Sequence, residues 1–283
     1  MDYTESLKKN INWMISEVTQ DNEKHIHVPL MVLNLEAIEF QKLDIIETLG
    51  KITGIAREVK ELNSSFDTFY DIIQNVNHVL FDIHGIHGNI SDYHNSENSF
   101  LSKVLETKSG NPVSISIIYQ EICRQLGFHL SGIGIPGHYL LKYGEKESLI
   151  FMDPYNKGVL LTKKEVLQIT NKKNKKNNSN IKILDSHIEE FGPRKTILRV
   201  LNNLKYSYSS VEEFEKALCI SDIILKVQPN NLQNLIHMVS LHKEMDNFSD
   251  ALELLDNFIE KSPEDSPITV DLINIRKKLF NKQ

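Results

Sequence analysis

Apolar residues recur every three or four positions over the first 85 residues of the chain, which is the spacing of an amphipathic helix. The segments VPLMVLNLEAIEFQKLDIIETLGKI and SFDTFYDIIQNVNHVLFDI show this most clearly, and they contain few Gly or Pro residues. The following segment, HGIHGNISDYHNSENSFL, breaks the pattern with Gly, Asn, Ser and Asp, which indicates an irregular surface loop. We therefore expect an N-terminal helical region over residues 1–86.

The most continuous apolar pattern lies between Asn111 and Gly127. Apolar residues occupy nearly every side of this segment, as expected of a buried helix rather than a surface helix. Asn111 can cap the helix, Pro112 suits its first position, and Gly127 suits the left-handed residue after its end. The sequence therefore predicts a buried helix with well-defined ends.

Two strand patterns follow this helix, HYLLKY and LIFMD, and the turn segment GEKES between them predicts a β-hairpin. A symmetric turn centred on Glu145 and Lys146 places His138 directly opposite Asp153. Directly opposed residues have Cβ atoms roughly 4.5–5.5 Å apart, so the imidazole and the carboxylate can form a hydrogen bond. A slip of one residue would instead put the two side chains on opposite faces of the sheet.

The segment TNKKNKKNNSN, residues 170–180, is basic, rich in Asn and without apolar residues. These properties predict a flexible loop.

The C-terminal segment repeats itself with a period of 34 residues, which is the tetratricopeptide period. Each repeat of this kind is a helical hairpin that cannot bury its apolar face alone, so we expect the helix KTILRVLNNLKYSY or the core domain to cover it. The matching pairs are Phe214 and Phe248, Ala217 and Ala251, Leu218 and Leu252, Asp222 and Asp256, and Pro229 and Pro263.

Composition and charge narrow the class of protein. The chain is 40% hydrophobic and 25% charged, as in ordinary globular proteins, and its net charge of −6 argues against a nucleic-acid surface. The two cysteines, Cys123 and Cys219, form no disulfide framework and suit a reducing compartment. The N-terminus has no apolar signal region, and no apolar run has a membrane-spanning length. We expect a cytoplasmic protein that binds neither nucleic acid nor membrane.

A capped helix, a strand with a histidine and a strand ending in an aspartate form the layout of cysteine hydrolases and acyltransferases. In such sites the helix dipole stabilises a thiolate, the histidine takes its proton, and the acid orients the histidine. Here the residues at the helix start are Asn111, Pro112, Val113 and Ser114, and none is a cysteine. Cys123 lies about three turns into the helix and is expected to be a core residue.

These segments resemble the SirB family of transglutaminase-like proteins with a C-terminal tetratricopeptide region. The resemblance runs through GNISDYHNSENSFLSKVL, GNPVSISIIYQEICRQLGFHLSGIGIPGHYLL, MDPYNKGVLLT and ILRVLNNLK, and then through the repeats. It implies an α+β fold in which N-terminal helices precede a papain-like core of one buried helix on an antiparallel sheet, followed by tetratricopeptide helices. The expected regions are 1–86, 87–195 and 196–283.

The resemblance also implies a site. In active transglutaminase-like domains the helix opens with Gly-x-Cys, and the spacing of Gly110 and Gly127 places that cysteine position on Pro112. The histidine and acid positions fall on His138 and Asp153. Proline has no thiol, hydroxyl or backbone N–H, so the implied triad lacks its nucleophile.

Two functions remain open at this point. The preferred one is a non-catalytic interaction or regulatory protein that binds a protein or peptide partner through its cleft, its repeats or both. It needs no cofactor and no metal. The residues proposed to bind are Asn111, Pro112, Gly137 and Tyr155.

The alternative is a hydrolase or acyltransferase in which Ser114, His138 and Asp153 act together. Against it stands a local role for Ser114, whose hydroxyl can bond backbone near the helix start. A metal site is a weaker possibility, because the loop histidines have no cysteine nearby and suit a hydrogen-bonded loop better. These histidines are His84, His87 and His94.

Overall fold

In the computed structural model, the residues described are 3–62, 68–135, 137–144, 149–176, 190–263 and 266–280. They form two compact units, which we name unit 1 (Met1–Val200) and unit 2 (Leu201–Gln283). The division into regions 1–86, 87–195 and 196–283 stays a prediction.

Helices make up the first part of unit 1, as the apolar spacing predicts. A capping box at Thr68 and Asp71 begins the fourth helix, which continues into a π-helical segment, His78–Ile83. The helices are α1 Tyr3–Thr19, α2 Val28–Glu39, α3 Ile45–Leu62 and α4 Phe69–Asn77.

The central helix α6 (Pro112–Gln125) follows the short helix α5 (Leu101–Thr107). Asn111 is its N-cap, Pro112 occupies its first turn, and Gly127 takes a φ of +91° after its end. Nearly all of its side chains are buried, including Ile118 at 0% exposure. The predicted buried helix is therefore confirmed.

Two sheets form within the described part of unit 1. The smaller is a parallel pair, β1 (His87–Gly88) with β2 (Ser109–Gly110), which lies just before α6. The larger is antiparallel, and its strands are β3 Ser131–Ile135, β4 His138–Tyr143, β5 Ile150–Asp153, β6 Val159–Leu161 and β7 Glu190–Phe191. They lie side by side in the order β6-β5-β4-β3-β7.

The register of the β4–β5 hairpin differs from the predicted one. Leu141 pairs with Met152 and Tyr143 pairs with Ile150, so the strands are shifted by two residues and His138 is not directly opposite Asp153. The turn is centred one residue later than expected, and its residues 145–148 lie outside the described chain. Because side chains alternate with a period of two, a shift of two keeps His138 and Asp153 on the same face.

The predicted flexible loop at residues 170–180 is wrong over its first seven residues. Helix α7 spans Lys163–Lys176, anchored by Val166 and Thr170, which are both fully buried. A helix with buried residues in its first turns can extend into a polar segment, because its backbone groups remain hydrogen-bonded to one another. The rest of the predicted loop lies outside the described residues.

Unit 2 contains the end of α8 (Pro193–Ser210) and four further helices. Consecutive helices pack on one another, and the repeated Ala217 and Ala251 are fully buried, so small side chains stand where helices approach closely. Lys205 is also buried and donates to Asn234 Oδ1 at 3.0 Å; burial lowers its pKa to about 8. The four helices are α9 Phe214–Val227, α10 Leu232–Glu244, α11 Phe248–Glu260 and α12 Pro267–Phe280.

Candidate functional site

The start of α6 is held by a reciprocal capping arrangement. Asn111 Oδ1 accepts the backbone N–H groups of Val113 at 2.9 Å and Ser114 at 3.0 Å. The Asn111 side chain also donates to Ser99 Oγ at 2.8 Å. Pro112 has no N–H to satisfy and suits the first helical position. The position that the resemblance assigns to a nucleophile therefore carries a buried residue that serves helix initiation.

Ser114 completes this capping arrangement. Its hydroxyl donates to the carbonyl oxygen of Asn98 at 2.5 Å and accepts the N–H of Asn111 at 3.1 Å. A serine hydroxyl has one proton, and here that proton is committed to a backbone carbonyl. Among the described residues, Ser114 forms no hydrogen bond with His138. These are the bonds expected if the Ser114 hydroxyl has a local role at the helix start.

His138 and Asp153 lie together despite the shifted register. His138 Nε2 is 2.7 Å from Asp153 Oδ2, and both side chains are almost completely buried. Burial alone would raise the pKa of Asp153, but the hydrogen bonds from His138 and Asn156 outweigh it and leave the pKa lowered. The predicted hydrogen bond is confirmed, and it joins diagonal neighbours instead of directly opposed ones.

Asn156 is a third member of this cluster that the sequence analysis did not identify. Its Nδ2 donates to Asp153 Oδ2 at 2.6 Å, and its backbone N–H donates to Asp153 Oδ1 at 3.3 Å. The segment Asp-Pro-Tyr-Asn could have indicated the contact between Asn156 and Asp153. An Asp followed by Pro favours a turn that is closed by the Asp side chain.

Tyr155 and Gly137 occupy the border of the same cluster. The Tyr155 ring packs edge-on against His138 with centroids 5.8 Å apart, and its hydroxyl donates to the carbonyl of Asn89 at 2.8 Å. A Cβ added to Gly88 would lie 2.5 Å from this ring, so only glycine fits there. Gly137 has a φ of +67° and reverses the chain just before β4.

Asn98 joins the loop before α5 to the start of α6, and the sequence analysis also missed it. Its side chain donates to the carbonyl of Asp92 at 2.7 Å and accepts from Asn89 Nδ2 at 2.9 Å. Its own carbonyl accepts from Ser114, as above, and from the N–H of Asn111 at 3.1 Å. Nothing in the sequence distinguishes Asn98 from the other polar residues of this irregular segment.

The loop histidines do not converge. His84 Nε2 lies 2.7 Å from Glu58 Oε2, His87 Nδ1 lies 3.0 Å from the Gly85 carbonyl oxygen, and His94 packs edge-on against Tyr93. Within the described residues, no group of three His, Cys, Asp or Glu side chains is placed to hold a metal ion. The weaker metal hypothesis thus gains no geometric support.

Neither cysteine lies in the cluster. Cys123 is fully buried in α6, and burial raises the pKa of its thiol. Cys219 lies exposed on α9 in unit 2, where partial desolvation and the neighbouring Asp222 raise the pKa of its thiol. The site can therefore orient a proton through His138 and Asp153, but no thiol stands beside them in the described structure.

A buried helix on an antiparallel sheet, with a His–carboxylate pair on two neighbouring strands, defines a transglutaminase-like protein. Residues 47–202 match the sequence profile of the transglutaminase-like superfamily, and this range is more than half of the chain. The chain therefore belongs to this superfamily. It is similar to the UPF0162 protein of Xylella fastidiosa strain Temecula1, with 31% identity over 199 residues that cover 70% of each chain.

Two further relatives show how far the similarity extends. A UPF0162 protein of Buchnera aphidicola is 23% identical over 263 residues, which cover 86% of this chain and 95% of the relative. Human F-box only protein 21 is 36% identical over 102 residues, which are 33% of this chain and 16% of that protein. No solved structure matches the chain.

No helix in the described part of the chain combines the length and the apolar character that a membrane crossing demands.

Proposed function

We propose that this chain is a non-catalytic transglutaminase-like protein that acts as a protein-interaction or regulatory module. The observation that carries the proposal is the start of α6, where Pro112 supplies no nucleophile and Ser114 gives its proton to the Asn98 carbonyl. Covalent catalysis of acyl transfer needs an activated nucleophile within reach of its base. The His–Asp pair then serves to fasten β4 and β5 or to bind a ligand.

The finer assignment to the SirB type with tetratricopeptide repeats belongs to this proposal. Its support is the 34-residue repeat, in which both repeats begin with a phenylalanine at a helix start, Phe214 and Phe248. Stacked helical hairpins present extended surfaces for partner proteins, so unit 2 is the proposed binding surface. A reducing, cytoplasmic location suits the two free thiols.

Active-site probes test the non-catalytic part of the proposal. The intact chain is treated with a fluorophosphonate probe and assayed for hydrolysis of ester and amide substrates. We expect neither labelling of Ser114 nor turnover, because the hydroxyl is hydrogen-bonded to backbone. Labelling that disappears in the Ser114→Ala and His138→Gln variants would overturn the proposal.

Partner capture tests the interaction part. A tagged intact chain is crosslinked in the cells that produce it, and the recovered proteins are compared between the natural chain and His138→Gln. Binding through unit 2, without chemistry at His138, predicts the same partners in both samples. A partner that becomes trapped only when His138 is replaced would indicate a substrate and favour the enzyme alternative.

That alternative, a hydrolase or acyltransferase using Ser114, His138 and Asp153, has one specific observation in its favour. The His138–Asp153 hydrogen bond has the length and burial of a pair that orients a general base. For catalysis, Ser114 would first have to release its bond to Asn98. The fluorophosphonate assay separates the two functions directly.

A further inference from the structure

Unit 2 carries an apolar groove between α10 and α12, with a volume of about 580 Å³. Its apolar walls are formed by Ile236 and Val239 of α10 and by Ile275 and Leu279 of α12. Val239 and Leu279 also belong to the hydrophobic core of unit 2, so the groove opens directly onto well-packed residues. Such a groove has a rigid floor.

Ile236 marks the groove as a surface that leaves apolar area in water. Its side chain is 43% exposed, although the other apolar residues of α10 are largely buried. Contiguous apolar surface rimmed by polar residues is typical of interaction sites. Ser240, also on the α10 wall, is exposed, so the groove is open to solvent at this position.

The charges at the rim have one sign. Among the described residues, the charged side chains that line the groove are Lys243 on α10 and Lys278 on α12. Both are exposed, and neither forms an ion pair within the described chain. The lining of the groove therefore carries two positive charges, on a chain whose net charge is −6. A partner with carboxylates at matching positions would complement them.

The shape of the groove suits a helix. The lining residues of α10, from Ile236 to Lys243, follow one another at helical spacing over about two turns. Both walls are helices whose backbone groups are already hydrogen-bonded, so they offer no edge to an extended strand. A partner helix satisfies its own backbone groups and inserts side chains at positions i, i+3 or i+4, and i+7.

We infer that the α10–α12 groove binds an amphipathic α-helix of a partner protein, one with an apolar stripe flanked by acidic residues. The apolar stripe contacts Ile236 and Ile275, and the flanking carboxylates contact Lys243 and Lys278. This inference rests on the proposed interaction function and names the chemistry of the partner.

Fluorescence anisotropy of the intact chain with designed peptides tests this inference. The probe is a fluorescein-labelled, stapled helical peptide with a leucine stripe and flanking glutamates. The comparison peptide has the same stripe with flanking lysines. We expect the acidic peptide to bind about tenfold more tightly, and we expect added salt to reduce the difference.

Charge-reversal variants supply matched controls. In the double variant Lys243→Glu with Lys278→Glu, the preference should change to the lysine-flanked peptide. Lys277→Glu makes the same charge change one residue away, outside the groove, and should leave the preference intact. Ile236→Asp should weaken both peptides, and because Ile236 is exposed the variant should still fold.

The inference is overturned if the two peptides bind equally, or if the double reversal leaves the preference unchanged. Neither result affects the Ser114 labelling or partner-capture experiments, so the proposed function is tested independently of the groove. Crosslinks from captured partners to unit 1 alone would likewise overturn the groove and leave the non-catalytic interaction function in place.

Discussion

At the scale of single residues, the start of α6 is held by a network of buried hydrogen bonds. Asn111 and Ser114 bond each other's backbone, and Asn98 accepts from both of them. Each of these polar groups is buried, so each would cost about 1–3 kcal/mol if it were left without a partner. In this network the hydroxyl proton of Ser114 is donated to a backbone carbonyl.

A cysteine introduced at Pro112 measures how much of the triad geometry survives. The new thiol would lie in the first turn of α6, where the helix dipole lowers a thiol pKa. We expect Pro112→Cys to react with iodoacetamide at neutral pH faster than Cys123 or Cys219, both of which have raised thiol pKa values. Adding His138→Gln should slow the reaction. A new cysteine as inert as Cys123 would show that the geometry is lost as well.

Removing the Asp153 carboxylate should change the pH dependence of stability. The folded-state pKa of Asp153 is lowered, so its contribution is fully present above the unfolded value of about 3.9 and is lost as pH falls through the folded value. We expect Asp153→Asn to lower the free energy of unfolding by about 1–2 kcal/mol at pH 7. Urea titrations should show that the difference in free energy of unfolding between the natural chain and this variant disappears below pH 4. A difference that stays constant with pH would contradict the lowered pKa of Asp153.

At the scale of elements, α6 is also tied to α2 at its far end. Glu121 is 4% exposed and lies 3.2 Å from His27 Nε2, while Arg124 donates to both of its carboxylate oxygens. Burial alone would raise the pKa of Glu121, but Arg124, His27 and Gln125 lower it to about 2. One buried carboxylate therefore orients two helices.

Glu121→Gln tests this link. The folded pKa is depressed, so the stabilisation is present above about pH 4.5 and is lost as pH falls toward about 2. Because Arg124 is half exposed, solvent screening reduces the effect, and we expect a loss on the order of 1–2 kcal/mol at neutral pH. Arg57→Gln, on the neighbouring α3, serves as a surface control. If Glu121→Gln and the natural chain have equal free energies of unfolding at neutral pH, the contacts of Glu121 do not stabilise the packing of α6 on α2.

The elements also show what the sequence could and could not predict. The helices follow from periodicity and capping, which depend on neighbouring residues. The His138–Asp153 contact follows from the predicted hairpin, because a shift of two residues leaves both side chains on the same face. The hairpin register did not follow, because it depends on the turn conformation, and GEKES contains no Asn-Gly or Asp-Gly pair to fix it. Asn98 and Asn156 were missed because polar residues in irregular segments carry no periodic signal.

At the scale of the whole molecule, unit 2 contains a hydrophobic cluster formed by its own helices. The unit 2 core contains residues of α10, α11 and α12, whereas Ile118 lies in the core of unit 1. A cluster formed within three consecutive helices does not require α6 to be folded. The stability of the chain is therefore expected to be distributed over two cooperative regions.

Ile118→Asp separates these regions. An unpaired charge in the unit 1 core should cost more than about 4 kcal/mol and unfold that unit. Hydrogen exchange with mass spectrometry should then show lost protection in α6 and retained protection in α10 and α11. Ile118→Val, which keeps an apolar side chain, should leave both units protected. Uniform loss of protection in the Asp variant would show that the units fold as one.

The capped start of α6 has a consequence for mutational tolerance. A catalytic nucleophile admits almost no replacement, whereas an N-cap and a first helical position admit every residue with the right backbone preference. Asn111 can therefore exchange only with a residue that caps the helix and keeps the bonds to Ser99 and Ser114, and the buried Pro112 only with a small apolar residue such as Ala. If the proposed non-catalytic function is correct, we expect position 112 to vary among related proteins within the residues that suit the first turn of a helix, whereas a nucleophile there would be retained only where its chemistry is used.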